Sequence, residues 1–182
     1  MSLILQDKET IANLISSFKI GVIPTDTIYG IVGLAKSKKS VNKIFKVKGR
    51  SSHKPLIVLI SKIQDLEDFK INLSKKEEKL LKTGEYSIIL PCPLKKYDHI
   101  HRGFNTIAFR LPKNKKIKEI INLSGPIVAT SANKEGEPPI KSIEEGIKIF
   151  KNEVDFYLKG KTKSNRPSKL IKVENGKIKR LR

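Results

Sequence analysis

Four cationic side chains, Lys46, Lys48, Arg50 and Lys54, flank a glycine in Lys46-Val47-Lys48-Gly49-Arg50-Ser51-Ser52-His53-Lys54-Pro55. Lysine supplies a compact point charge and arginine a planar fork of donors, and together they suit a polyphosphate. A solvated charge run is the other reading of the same residues. A second cluster, Pro24-Thr25-Asp26-Thr27-Ile28-Tyr29-Gly30, crowds hydroxyls and a carboxylate into a connection between two apolar runs. Taken alone, it reads as a hydrogen-bonded turn or as a site. A third, Ala129-Thr130-Ser131-Ala132-Asn133, puts small polar residues directly after a buried strand, where open α/β sheets bind ligands. An Asx or serine turn accounts for it equally well.

Other chemistries lack their residues. A phosphate loop needs four residues between its glycines and a lysine directly after the second, so that successive N–H groups curl around the phosphates. In Gly30-Ile31-Val32-Gly33-Leu34-Ala35-Lys36-Ser37 the lysine comes too late and the stretch reads as a strand. The glycine pattern of dinucleotide folds is missing as well. Cys92 is the only cysteine, so no internal disulfide forms, and it reads as a small buried thiol. His53, His99 and His101 read as surface decoration and not as a metal site, and with one cysteine they do not make a zinc centre. No Cys/His or Ser/His pair suggests an activated nucleophile.

The three clusters need a scaffold, and periodicity supplies one. Ile11, Leu14, Ile15 and Phe18 repeat at helical spacing and predict a helix over Lys8–Lys19. Short helices are expected at Ser40–Lys46, Lys62–Asp68 and Ser74–Lys82, the last opened by the capping box Ser74-Lys75-Lys76-Glu77. Lys115–Leu123 reads as a basic helix, and the second box Ser142-Ile143-Glu144-Glu145 opens another to Phe150. Strands are expected at Gly21–Pro24, Ile28–Ala35, Ser87–Leu90, Thr106–Leu111, Pro126–Thr130 and Asp155–Leu158. The aliphatic run Pro55–Ile60 is the mark of a strand covered on both faces. Lys169–Val173 and Lys177–Leu181 pair as a hairpin about Glu174-Asn175-Gly176. Pro91–Asn105 and Gly160–Pro167 are the loosest segments. Strands and helices interleave throughout, so residues 1–182 read as a single α/β domain with a twisted mixed sheet and flanking helices.

Composition sets the outer limits. The 182 residues carry 38 Lys+Arg against 18 Asp+Glu, a formal net charge of +20. Hydrophobic residues make up 38%, enough for a core and too many for a disordered chain of this charge. No apolar run approaches the ~18 residues of a membrane span. The opening Met1-Ser2-Leu3-Ile4-Leu5-Gln6-Asp7 turns acidic before an export signal forms, so a cytoplasmic location is expected. The charge points to a polyanion, either nucleotide phosphates or RNA, although lysine-rich usage also follows from compositional drift and a solvated face. Aromatics at 6% with no tryptophan do not support recognition of single strands by base stacking.

Together the three clusters resemble the YrdC/TsaC family of threonylcarbamoyl-AMP synthases. Pro24-Thr25-Asp26-Thr27-Ile28-Tyr29-Gly30 is similar to its P-T-[ED]-T-x-Y-G motif, Lys48-Gly49-Arg50 with Lys54-Pro55-Leu56 to its K-x-R…P-L segment, and Ser131-Ala132-Asn133 to its S-A-N motif. Weaker matches follow in order: Gly84-Glu85-Tyr86-Ser87, Thr106-Ile107-Ala108-Phe109-Arg110-Leu111-Pro112, and Ser168 and Arg180 where the family has a late serine and a final L-R. The resemblance implies a YrdC-like fold with a deep basic cleft, in its short single-domain form. It implies condensation of L-threonine, bicarbonate or CO2, and ATP with Mg2+ into threonylcarbamoyl-AMP, with release of pyrophosphate. Transfer proteins then carry the product to tRNA.

Carried over by position, the resemblance implies that Thr27, Arg110, Ala129 and Ser168 hold threonine. Lys48, Arg50, Lys54, Thr106, Ser131, Asn133, Pro139 and Arg180 hold ATP, with Lys48 and Arg50 catalytic and no metal bound by protein side chains. Pro139 has no N–H, so only its carbonyl or ring serves. An amine that takes up CO2 and then attacks the α-phosphorus needs positioning and charge stabilisation, not a protein nucleophile. Leu59, Ser51, Glu85, Lys159-Gly160-Lys161 and Lys169 depart from the family's usual residues and bear on threonine selectivity more than on ATP. The alternative is a non-catalytic module of the same fold that binds double-stranded RNA or tRNA, or associates with the ribosome.

Overall fold

In Thr106-Ile107-Ala108-Phe109-Arg110-Leu111 every second side chain is large and apolar. In the computed structural model, which describes residues 2–49 and 55–182, that alternation divides core from cavity. Ile107, Phe109 and Leu111 enter the larger of two apolar clusters, while Thr106, Ala108 and Arg110 face the opposite side of the sheet.

Among the described residues ten strands form one mixed sheet: β1 (Leu3–Leu5), β2 (Gly21–Pro24), β3 (Tyr29–Leu34), β4 (Ile57–Leu59), β5 (Tyr86–Pro91), β6 (Thr106–Arg110), β7 (Ile127–Ser131), β8 (Phe156–Leu158), β9 (Lys169–Glu174) and β10 (Lys177–Arg180). Their spatial order is β1-β8-β2-β3-β7-β4-β6-β5-β9-β10. β1–β8, β2–β8, β4–β6 and β5–β9 are parallel and the other pairs antiparallel. Six α-helices accompany them: α1 (Lys8–Ser16), α2 (Lys38–Lys48), α3 (Lys75–Lys82), α4 (Asp98–His101), α5 (Lys115–Ser124) and α6 (Ile143–Phe150).

One sheet face is closed over by α2, α3, α4 and α6. Val41, Ile44, Phe45, Leu81, Ile100, Ile143 and Phe150 meet strand residues such as Val22, Ile31, Val58 and Val128 there. The other face is covered in part. Ile11, Ala12 and Ile15 of α1 and Ile117, Ile120 and Ile121 of α5 pack on Ile23, Val32, Leu59, Ile127 and Phe156. Each fully buried aliphatic side chain contributes roughly 1.5–3 kcal/mol, so both helix layers are well secured. The uncovered part of this face, centred on β3, β7, β4 and β6, is the floor of the cavity.

The caps explain most element ends. Ser37 accepts from the Ser40 N–H and starts α2 two residues before the periodicity does; Gly49, at φ 62, ends it after Lys48. The Ser74–Glu77 box is complete. The second box is half made: Ser142 Oγ accepts from the Glu145 N–H, but the Glu145 carboxylate accepts from the Lys141 N–H, one residue upstream. The hairpin is confirmed, with Asn175 (φ 49) and Gly176 (φ 72) as a two-residue turn between paired Glu174 and Lys177.

Four expectations are corrected. The stretch read as a helix at Lys62–Asp68 is a 3-10 run over Ile63–Phe69, stopped by Lys70 in the left-handed region. The first helix ends at Ser16 and not Lys19, with Phe18 at φ 63 turning the chain. Pro91–Asn105 is not loose: a 3-10 turn at Lys95–Tyr97 leads into α4, and Phe69 stacks on Tyr97 at 4.5 Å. His99 and His101 are buried in that segment, not surface decoration. His99 Nε2 lies 2.9 Å from the Ala35 carbonyl, and burial pushes the His99 pKa down. His53 lies outside the described residues. Cys92 is buried as expected, and burial pushes its thiol pKa up.

Candidate active site

The cavity on the open sheet face has a volume of about 390 Å³. Its floor is made of residues that alternate with the core: Gly30 on β3, Ala129 and Ser131 on β7, Ile57 and Leu59 on β4, and Thr106, Ala108 and Arg110 on β6. Its rim comes from the β2–β3 connection, from Pro55 and Pro139, and from Pro167, Ser168 and Arg182. Its polar groups sit among the apolar side chains of Leu56, Ile57, Leu59, Ile89 and Leu170.

The β2–β3 connection satisfies both readings of its sequence. Thr25 Oγ1 donates to the Ile28 carbonyl at 2.6 Å, accepts from the Thr27 N–H at 3.1 Å and lies 2.9 Å from Thr27 Oγ1. That is a hydrogen-bonded turn, and it presents Asp26 and Thr27 to the cavity. Arg110 reaches it from β6: Nη1 donates to Thr27 Oγ1 at 3.3 Å, and Nη2 to Asp26 Oδ2 at 2.9 Å and the Gly84 carbonyl at 3.0 Å. Asp26 Oδ2 also accepts from the Lys113 N–H at 3.1 Å. Arg110 Nε is buried and donates to none of the described residues. Ser168 Oγ lies 2.7 Å from Ser87 Oγ, both buried.

Lys48 is buried behind the cavity edge. It is 2% exposed at the end of α2, and its Nζ donates to the Ser131 carbonyl (2.6 Å), the Asn133 carbonyl (2.9 Å) and Asn133 Oδ1 (2.8 Å). Ser131 Oγ donates to the same Asn133 oxygen at 2.6 Å. The lysine therefore shapes the Ser131-Ala132-Asn133 loop, and α2 and β7 are bolted together at the cavity edge.

The candidate residues thus divide. Thr27, Thr106, Arg110, Ala129, Ser131, Pro139 and Ser168 line one cavity. Lys48 and Asn133 stand behind its rim, joined to each other. Arg180 lies on exposed β10, with Nε bonded to the Arg182 carbonyl at 3.0 Å, and does not line the cavity. Arg50 and Lys54 lie outside the described residues.

Two charged lining residues, Asp26 and Arg182, were not among the candidates. Asp26 stood in a quoted motif without a role. Arg182 belongs to the chain's own Leu181-Arg182 dipeptide, a signal as good as the neighbouring Arg180. Its Nη2 donates to the Ser168 carbonyl at 3.3 Å. Burial, and then the nearby charge of Arg110, hold its guanidinium pKa below the usual arginine range. No group of three or more His, Cys, Asp or Glu among the described residues could hold a metal ion.

A twisted mixed sheet with a polar-studded cavity over β3, β7, β4 and β6 is the frame into which relatives fit. The Sua5/YciO/YrdC family model, described as "Telomere recombination", matches residues 13–182, and the chain belongs to that family. It is 38% identical over 132 residues to a threonylcarbamoyl-AMP synthase of Bacillus subtilis, covering 70% of this chain and 38% of the relative. It is 31% identical over 163 residues to a putative threonylcarbamoyl-AMP synthase of Methanocaldococcus jannaschii, covering 88% and 77%. Among solved structures, Pyrococcus abyssi Sua5 complexed with L-threonine superposes with a TM-score of 0.90 at 27% identity, over 100% of this chain and 57% of that one. Escherichia coli YciO shares the fold, with a TM-score of 0.83 at 18% identity over 100% and 95%. The chain thus spans under two thirds of the Bacillus and Pyrococcus relatives. No helix among the described residues is long and apolar enough to cross a membrane.

Proposed function

We propose that this chain is an L-threonylcarbamoyladenylate synthase: it binds L-threonine, bicarbonate or CO2, and ATP with Mg2+, and forms threonylcarbamoyl-AMP and pyrophosphate. The observation that carries the reading is convergence. Thr27, Arg110, Ala129 and Ser168, separated along the chain, line one cavity with Thr106, Ser131 and Pro139. A relative of the same fold is solved with L-threonine bound.

In this reading the amino acid lies at the Arg110 end, its carboxylate on the guanidinium and its side chain toward Ala129 and Ser168. ATP lies toward Ser131 and Thr106, with its phosphates reached by Arg182 and by the cations Arg50 and Lys54. The threonine ammonium gives up a proton to solvent, the free amine bonds to the carbon of CO2, and loss of a second proton gives a carbamate. A carbamate oxygen then attacks the α-phosphorus, and the bond to the departing pyrophosphate breaks. The protein holds two anions together against their repulsion and stabilises the leaving charge, work for fixed donors. Lys48 contributes by fixing the loop that carries Ser131. Mg2+ arrives with ATP as part of the substrate.

Residues 1–182 act as one domain in this proposal, since one sheet runs from Leu3 to Arg180. The product is consumed by tRNA-modifying transfer proteins, which fits a cytoplasmic setting. The +20 charge supports a contact with tRNA or double-stranded RNA beside the enzyme activity. The test is pyrophosphate release from ATP by the purified chain. Release that needs both threonine and bicarbonate is expected. RNA binding with no turnover would establish the binding module instead.

A further inference from the structure

Among the described residues that line the cavity, Asp26 carries the only acidic side chain. One of its oxygens is committed: Oδ2 accepts from Arg110 Nη2 at 2.9 Å and from the Lys113 N–H at 3.1 Å. The other, Oδ1, accepts from no described residue, and the Asp26 side chain, 9% exposed, lines the cavity. The neighbouring hydroxyls are less available, since Thr25 Oγ1 donates to Ile28 and contacts Thr27 Oγ1, which accepts from Arg110. A guanidinium and a carboxylate oxygen with no donor among the described residues therefore stand side by side in the cavity wall.

We propose that Asp26 and Arg110 together form a receptor for an amino-acid zwitterion, with Arg110 taking the carboxylate and Asp26 Oδ1 the α-ammonium. The inference rests on the reading of the cavity as an amino-acid site and names what that site recognises besides the carboxylate. The two charged groups of an α-amino acid share one carbon, so they match two receptor charges in direct contact. A ligand with only the carboxylate meets Arg110 but also faces an unpaired anion, which costs affinity. Asp26 thus serves twice: through Oδ2 it orients Arg110, and through Oδ1 it selects for an amine at the α-carbon.

Calorimetric titration with L-threonine and with 3-hydroxybutanoate, which keeps the carboxylate and hydroxyl but lacks the amine, separates these roles. The unmodified chain should prefer L-threonine. In Asp26→Asn, L-threonine affinity should fall about ten- to a hundredfold, the worth of one charge-assisted contact. The affinity for 3-hydroxybutanoate should stay constant or rise, so the preference collapses. Asp26→Glu, which keeps the charge, should restore part of it. Parallel weakening of both ligands in Asp26→Asn would show that Asp26 only props Arg110, and overturns the proposal. So does equal affinity of the unmodified chain for the two ligands, a result that needs no variant. An unmodified chain that binds L-threonine poorly or not at all sinks the amino-acid reading itself, and this inference with it.

Discussion

A lysine that is 2% exposed and has three carbonyl-type acceptors around its Nζ is a structural fastener as well as a charge. Replacing Lys48 with methionine keeps the stem and leaves the Ser131 and Asn133 carbonyls short of a donor, at about 1–3 kcal/mol. For a domain of this size that is roughly 2–4 °C of Tm per kcal/mol, so differential scanning should show a fall of several degrees. Pyrophosphate release should fall by about 10²-fold, the cost of misplacing a positioned group by about an ångström, because the loop carrying Ser131 loses its shape. Arg110→Lys should behave differently. It removes the fork that spans Thr27 and Asp26 and should raise KM for threonine more than it lowers kcat. The place of lining residues was legible where type and spacing are unusual, as in Thr25-Asp26-Thr27 and Ser131. The burial of Lys48 was not legible, because it depends on how α2 meets β7, nor was the place of Arg182, since Arg180 offers the same chemistry two residues away.

Elements with a long apolar period were readable, and those built by distant partners were not. β1 is three residues and exists because Leu3, Ile4 and Leu5 pair with Phe156, Tyr157 and Leu158 far along the chain. α4 has four residues, too few for any periodicity, and is held by Ile100 in the core and by Arg102 stacked 4.1 Å over the Phe45 ring of α2. Its buried His99 gives it a pH signature. Burial favours the neutral imidazole, so the folded-state pKa lies below the ordinary 6.5, and the unfolded chain binds the proton more readily. Stability from this group is therefore complete above pH ~6.5 and is lost as pH falls toward the folded pKa. Scanning from pH 8 to 5 should show Tm falling below neutrality. His99→Gln removes that titration and should flatten the fall, whereas an unchanged slope would assign the dependence to other groups. The same local logic governs the end of α2, where Gly49 at φ 62 caps the helix in the left-handed region. Gly49→Ala should cost about 1 kcal/mol, read as a lower Tm.

At the scale of the whole molecule, the net charge of +20 and the cavity are separate features whose salt dependence differs. The cavity combines strands β3, β7, β4 and β6 with segments as distant as Thr27 and Ser168, so only the tertiary fold creates it. An amino acid docked on the Asp26–Arg110 pair brings no net charge into a site with the pair 9% and 6% exposed, and added salt barely screens it. ATP, in the proposed reading, brings several negative charges to a rim where Arg182 stands nearer solvent. At 100 times Kd either ligand adds about 2.7 kcal/mol to folding stability, a shift of roughly 5–10 °C at this chain length. Held at fixed concentrations, the threonine shift should stay level between ~20 and ~300 mM NaCl while the ATP shift shrinks. RNA retention should fall over the same range, since each phosphate contact releases a counterion. A threonine shift that fades in step with the ATP shift would mean that the amino acid binds through the general positive field and not through the buried pair.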